Sequence, residues 1–248
     1  MKDKPRKKKK RKKKNYLLRL LVIIAVGVGL YFLLSSELFD VGSVKIANNK
    51  YYTVEQVKDK AGVKVGENIF SINTGKIKDN LLKDPYFENV KIRRKLPSTV
   101  LIDVTERKEA AAVQLDQHYI IIDPNGLVLR KADSAPKLTI LEGLTVKKST
   151  VGKALEVEGN SILAHTLEML KAMNGSELFF KKIDISSVVI KAYIYDQLIC
   201  EGTPTNMTEN IKNGNLEMTL YDMYNKGIER GVLKIGSDNY CSFDPMIE

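Results

Sequence analysis

The 248 residues are enough for one large domain or two small ones with appendages, and enough to bury a core. The formal charge of +10 suggests a nucleic-acid binder only until it is located: eleven of the 40 Lys/Arg but one of the 30 Asp/Glu fall in residues 1–15, so residues 16–248 carry 29 of each and no basic face is left to follow phosphates. Two cysteines, two histidines and no tryptophan exclude a disulfide-stapled miniprotein and argue against a metal cage.

The basic run, with Lys7, Lys8, Lys9, Lys10, Arg11, Lys12, Lys13 and Lys14 at its centre, leads straight into residues 16–36, whose only charge is Arg19. At ~1.5 Å per residue this segment reaches about 31 Å, the thickness of a hydrocarbon core, with Arg19 close enough to the start to snorkel to the headgroups. It predicts a single transmembrane helix behind a cytoplasmic tail of residues 1–15, with the N-terminus inside and the remaining chain outside. A cleaved signal peptide would have a shorter apolar stretch and a small-x-small site, for which Leu34-Ser35-Ser36-Glu37-Leu38 is a poor match. A nucleic-acid or nuclear-localisation arm suits the basic run but not a membrane span beginning beside it. The run is read as an orientation device that also touches anionic lipid, at up to ~1 kcal/mol per basic residue.

From Asp40 the pattern is that of a small mixed domain. Val41, Val44 and Ile46 predict a strand, Asn48-Asn49 a turn, and Thr53 with Gln56 a capped helix carrying Val54, Val57 and Ala61 inward and ending at Gly62. A second short helix runs from about Thr74, with Ile77 and Leu81 on one side and Asp84-Pro85 as its stop. Two alternating strands follow, Val90 and Ile92 in one and Val100, Ile102 and Val104 in the other, joined at Leu96-Pro97-Ser98. Arg93, Arg94 and Lys95 admit two readings, a cationic contact for lipid or a partner and, preferred here, the charged guard of an edge strand.

Beyond Arg107 the pattern is richer in strands. Ala111–Leu115 and Tyr119–Leu129 are strand-like around Asp123-Pro124-Asn125-Gly126, a turn with Pro second and Gly last. Asp123 is read as bonding the turn backbone, with no partner in the nearby sequence for acid catalysis. Lys137–Gly143 adds a strand. Residues 160–173 form an amphipathic helix with Leu163, Leu167, Leu170 and Met173 on its core stripe and Asn174-Gly175 as its cap. Phe179–Ile185, Val188–Tyr195 and Leu198–Gly202 read as three strands. Asn206–Lys226 reads as one helix interrupted by Gly214, burying Ile211, Leu216, Leu220, Met223 and Tyr224; Gly231–Ile235 and Tyr240–Phe243 close the sheet.

The chemistry inventory is short. Nucleophile-elbow, zincin, Walker and dinucleotide motifs are missing, and His118, His165, Cys200 and Cys241 stand 47, 35 and 41 residues apart, without the close pairs of zinc sites. Neither a metal nor a cofactor is expected, and no enzymatic activity. An oxidising compartment permits a Cys200–Cys241 bridge without requiring it. Asn174-Gly175-Ser176 and Asn206-Met207-Thr208 match the glycosylation sequon by chance.

The β-α-α-β-β order of residues 40–108 resembles a POTRA domain. With the anchor in front of it, Asn48-Asn49-Lys50, Gly66-Glu67-Asn68-Ile69-Phe70, Asp84-Pro85-Tyr86-Phe87-Glu88-Asn89-Val90, Arg93-Arg94-Lys95-Leu96-Pro97 and Val104-Thr105-Glu106-Arg107 resemble the bacterial cell-division family FtsQ/DivIB. Asn48 stands where that family usually has Gly and Glu109 where it often has Pro, departures that touch turn geometry. The resemblance implies an α+β protein: a single transmembrane helix, a POTRA-type domain, and a second, β-rich mixed domain over residues 109–248. It implies a non-enzymatic bitopic scaffold in the bacterial cell membrane at the division septum. Its partners would be the small coiled-coil division proteins FtsB/DivIC and FtsL, with septal peptidoglycan synthases as a further class. Strand addition at the C-terminal edge of the second domain would bind them, in this chain over Leu233–Phe243, with Leu233, Ile235, Ser237, Tyr240 and Phe243 as contact positions. The alternative, a POTRA-bearing protein of polypeptide transport, would carry repeated POTRA units or a long barrel, and this chain has neither.

Overall fold

A computed structural model describes residues 16–246. The tail positions Lys7, Lys8, Lys9, Lys10, Arg11, Lys12, Lys13 and Lys14 lie outside them. Helix α1 (Tyr16–Leu34) contains Arg19, buries no residue, and is long and apolar enough to cross a membrane. A 3-10 turn (Glu37–Phe39) follows it.

By internal packing the described chain resolves into two units. One holds residues up to Lys78 with Lys91–Asp103, the other Asp79–Val90 with Val104 onward. Strands β1 (Ser43–Ala47), β2 (Phe87–Lys95) and β3 (Thr99–Glu106), with helices α2 (Val54–Ala61) and α3 (Thr74–Leu82), give the expected β-α-α-β-β order. The sheet runs β1-β3-β2, with β1 parallel to β3 and Ser43 opposite Thr99. Local chemistry sets these elements. Thr53 and Gln56 form a reciprocal capping box on α2, Gly62 ends it at φ 67°, and Asn48 takes the left-handed turn position at φ 63°. Val57, Ala61, Ile69, Ile77, Val100 and Ile102 are buried in the first unit. β2 is an edge strand, as the charge pattern suggested, and Arg93 and Lys95 on it are exposed. Arg94 is exposed too, but its Nε donates to the Ile69 carbonyl at 2.8 Å and its Nη2 to that of Ile72 at 2.7 Å, fixing the loop before α3.

The second unit is built on a nine-stranded mixed sheet. Its strands are β4 (Ala111–Leu115), β5 (His118–Ile122), β6 (Val128–Ala132), β7 (Thr139–Glu142), β10 (Lys182–Asp184), β11 (Ile190–Tyr193), β12 (Leu198–Gly202), β13 (Gly231–Ile235) and β14 (Cys241–Asp244), in spatial order β14-β13-β12-β11-β10-β7-β4-β5-β6. Two short strands that sequence periodicity does not reveal, β8 (Val146–Lys148) and β9 (Glu156–Val157), pair separately. Alternate residues of the large sheet, among them Val113, Ile122, Leu141, Ile183, Ala192, Cys200 and Leu233, form one buried cluster with Leu163, Leu167 and Met169 of α4 (Asn160–Ala172) and its C-cap Met173, Met207 and Ile211 of α5 (Pro204–Lys212), and Leu216 and Met223 of α6 (Asn215–Asn225). Met173 and Met223 are core, as their helical spacing implied. On the other face, Lys182 and Glu142 pair at 3.1 Å and Lys191 and Glu201 at 4.0 Å across neighbouring strands.

Three expectations need correction. The single helix over 206–226 is two: Thr203 caps α5, Pro204 opens it, and Gly214 at φ 76° both ends the run and caps α6. Tyr224 is not core; it is 69% exposed, next to Tyr221 and Met218 on the outer stripe of α6. Asp123 does hold its turn, accepting from the amides of Asn125 and Leu127 at 2.8 Å each, but it also has a charged partner, Arg107 Nε, at 3.2 Å. Arg107 donates as well to the Pro85 and Phe87 carbonyls. Glu109, the departure from the family pattern, accepts from Tyr86 Oη at 2.5 Å and Arg130 Nε at 2.8 Å. Burial pushes its carboxyl up, but these hydrogen bonds and the Arg130 charge more than offset that and leave it below the ordinary glutamate value.

Candidate partner-binding edge

The C-terminal hairpin is placed by the crossover β12-α5-α6-β13, which lays β13 parallel to β12 with Cys200 opposite Leu233 and Gly202 opposite Ile235. β14 then returns antiparallel, Ile235 opposite Cys241 and Leu233 opposite Phe243. Asp238 and Asn239 turn the chain at φ 53° and 61°, the kind of residue that tolerates this region. Four asparagine side chains tie the turn to the helices. The fully buried Asn210 donates to the Asn206 and Gly236 carbonyls and accepts from Asn215, which donates also to the Asn239 carbonyl and Cys241 Sγ; Asn213 bonds the Asn239 side chain. This network joins positions far apart in the sequence, and no spacing rule announces it.

β13 is paired on both flanks, so the expected contact segment is corrected. Leu233 and Ile235 are buried in the core and have no surface to offer, because β13 is interior and their side chains face the helices. The other three positions remain accessible to different degrees: Ser237 and Tyr240 are exposed in the turn, Tyr240 by 63%, and Phe243 is half-buried on β14.

β14 is the edge. The Gly236 amide donates to the Tyr240 carbonyl at 2.8 Å, so by antiparallel alternation Ser242 and Asp244 turn their main-chain groups toward β13. Cys241 and Phe243 turn theirs outward, where no strand lies among the described residues. Pro245, without an N–H, ends the available run. Lys234 and Asp244 pair at 2.5 Å on the solvated face. The opposite edge, β6, is less open, since Val128 exchanges hydrogen bonds with Lys153 and Gly152 and the exposed Lys131 lies further along it.

Gly231 seats this edge. A Cβ there would lie 2.5 Å from the Phe243 ring and 2.7 Å from the Asp244 carbonyl oxygen, and its φ of 133° is one that L side chains avoid. Gly231→Ala is therefore expected to displace β14 at a cost of about 1–3 kcal/mol. Amide exchange at Ser242 and Asp244, the β14 residues turned toward β13, would quicken while β4 and β5 keep their protection; unchanged exchange at both would refute this account of its seating.

Cys200 and Cys241 both carry free thiols. β13 separates their strands, a gap of roughly 10 Å at ~4.8 Å per strand, beyond the reach of a bridge without rearrangement. Burial, with the neighbouring Cys241 adding to it, pushes the Cys200 thiol up to about 12, and Cys241 is raised chiefly by burial as well. Neither is poised as a nucleophile. Among the described residues no cluster of His, Cys, Asp and Glu could hold a metal ion; His118 is exposed beside Asp133 at 3.0 Å, and His165 is exposed on α4.

With this geometry in view, comparison with known proteins is specific. The family model of the FtsQ-type POTRA domain matches residues 39–107. The chain is 31% identical to the cell division protein DivIB of Clostridium acetobutylicum over 68% of its own length and 69% of the relative's. It is 33% identical to DivIB of Clostridium botulinum (Loch Maree), covering 72% and 71% of the two chains, and 26% identical to the cell division protein FtsQ of Syntrophotalea carbinolica, covering 59% and 51%.

Proposed function

The chain belongs to the DivIB/FtsQ family of cell-division proteins, and from that membership we infer that it is a bitopic scaffold of the division septum that works by binding rather than by catalysis. Helix α1 anchors it once in the cell membrane, with the basic tail and Arg19 on the cytoplasmic side and both folded units outside. Residues 40–108 act as the POTRA-type module and residues 109–248 as the partner-binding module. The partners are small bitopic coiled-coil proteins of the DivIC/FtsB and FtsL kinds, captured as a strand added to β14.

One observation carries this reading: among the described residues no strand pairs with the outer flank of β14, and the main-chain groups of Cys241 and Phe243 are turned away from the sheet. An added strand would satisfy those donors and acceptors, while the exposed Tyr240 and the half-buried Phe243 supply side-chain contacts at its rim. Hydrogen exchange on the full chain in lipid nanodiscs, with and without the extracytoplasmic segment of a DivIC-like partner, is the direct test. Binding is expected to slow the amides of Cys241 and Phe243. Saturating binding that leaves both unprotected would remove β14 as the docking edge.

A further inference from the structure

The foot of the POTRA-type module is tied to the exit of α1 by a set of hydrogen bonds that the scaffold reading does not use. The Leu34 carbonyl, at the last residue of α1, accepts from Asn68 Nδ2 at 2.8 Å. Asp40 and Asn68 form an antiparallel bridge, the Ile69 amide donates to the Phe39 carbonyl at 2.8 Å, and the amides of Val41 and Gly66 bond the carbonyls of Glu67 and Val41 at 2.9 Å each. The turn between β2 and β3 comes to the same end, since the Gly42 and Ser43 amides both donate to the Ser98 carbonyl. Three segments, 37–42, 66–70 and 96–98, thus gather around the point where the apolar helix ends.

Each of them leaves a large apolar side chain uncovered. Leu38 is 60% exposed, Leu96 56%, and Phe70, its ring 5.3 Å from that of Phe39, 42%. In water these would be an unexplained cost at a place otherwise well bonded. At the foot of a membrane span they sit at headgroup depth, where apolar side chains are buried and cations and carboxylates stay wet. The exposed charges that flank them in the sequence are of both signs, Lys64, Arg93, Arg94 and Lys95 with Glu37 and Glu67, and the contact proposed is the apolar one.

We infer that Leu38, Phe70 and Leu96 dip into the interfacial layer of the leaflet from which α1 emerges, so that the module stands on the bilayer instead of swinging on a stalk. The occupant of this surface is lipid because the surface is continuous with the helix that lipid already surrounds. The inference rests on α1 being a membrane span, and its test separates the two.

The chain has no tryptophan, so one introduced indole reports alone. Phe70→Trp and Leu96→Trp probe the foot, Val28→Trp the middle of α1, and Tyr221→Trp the exposed stripe of α6, each in the full chain reconstituted into phosphatidylglycerol/phosphatidylcholine vesicles containing brominated phosphatidylcholine. The expected result is that both foot indoles lose most of their emission to bromines placed high on the acyl chain. Val28→Trp should lose its emission to bromines placed deep, and Tyr221→Trp should keep it. Leu96→Trp lies on a turn tip and guards against a Phe70→Trp loop that has lost its packing on Phe39. Quenching at Val28 with none at either foot position overturns the docking and leaves the anchor standing. No quenching at Val28 removes the anchor and the docking together. Quenching at Tyr221 equal to that at the foot shows unspecific adsorption and also overturns it.

Discussion

Cys241→Pro is expected to weaken capture of a DivIC-like partner by about tenfold or more while leaving the fold in place. The substitution deletes one of the outward N–H groups of β14, a hydrogen bond worth about 1–1.5 kcal/mol, and sets a pyrrolidine ring in the path of an incoming strand. Its N–H faces away from β13, so the ladder inside the sheet keeps its bonds. Calorimetric titration of the full chain in nanodiscs gives the affinity, and Cys241→Ser, which keeps the N–H while changing the same side chain, isolates the main-chain contribution. Equal affinities for the proline and serine variants would rule out main-chain pairing at this position.

Arg107→Leu has the largest expected effect on stability, about 3–5 kcal/mol, or roughly 6–20 °C in Tm for a unit of this size. The Asp123 carboxylate is only 3% exposed, with the Arg107 guanidinium as its opposite charge, Nε at 3.2 Å. Removing the guanidinium leaves that charge buried without its counterion and two carbonyls, of Pro85 and Phe87, without these donors. Asp123→Asn should cost less, because the amide oxygen still accepts from Asn125 and Leu127 and no buried charge is stranded. Thermal unfolding of the two variants against the parent decides the point: if Arg107→Leu melts within a degree or two of it, the pair is not a significant source of stability.

The contrast between what was legible in the sequence and what was not follows the range of the interactions. Thr53, Gln56 and Gly62, or Asp123 and Gly126, announce a cap or a turn because donor and acceptor lie within a few residues of each other. Alternation along β3 and the stripe of α4 show which side is buried for the same reason. Gly214 marks the limit of such signals, since an isolated glycine is tolerated inside a helix at ~1 kcal/mol and only the φ of 76° reveals the break. The partner of Asp123 lies sixteen residues upstream and the asparagine cluster joins α5, α6 and the last turn, so neither follows from local spacing. Assigning Leu233 and Ile235 to an edge failed similarly: β13 and β14 look alike in sequence, and which of them is outermost depends on the parallel pairing that the α5-α6 crossover creates.

β14 is four residues long and Pro245 follows it at once. Two outward residues with one donor and one acceptor each give at most about 2–6 kcal/mol of net main-chain bonding, short of the ~8 kcal/mol that a micromolar complex requires. For two freely diffusing ectodomains such a seam would be transient. For two chains tethered in one bilayer the encounter is close to intramolecular, with local concentrations that reach the millimolar range, and the same few bonds are then enough to keep them together. Affinities measured on clipped, soluble fragments should accordingly understate the association that co-confinement in the plane of the membrane makes available.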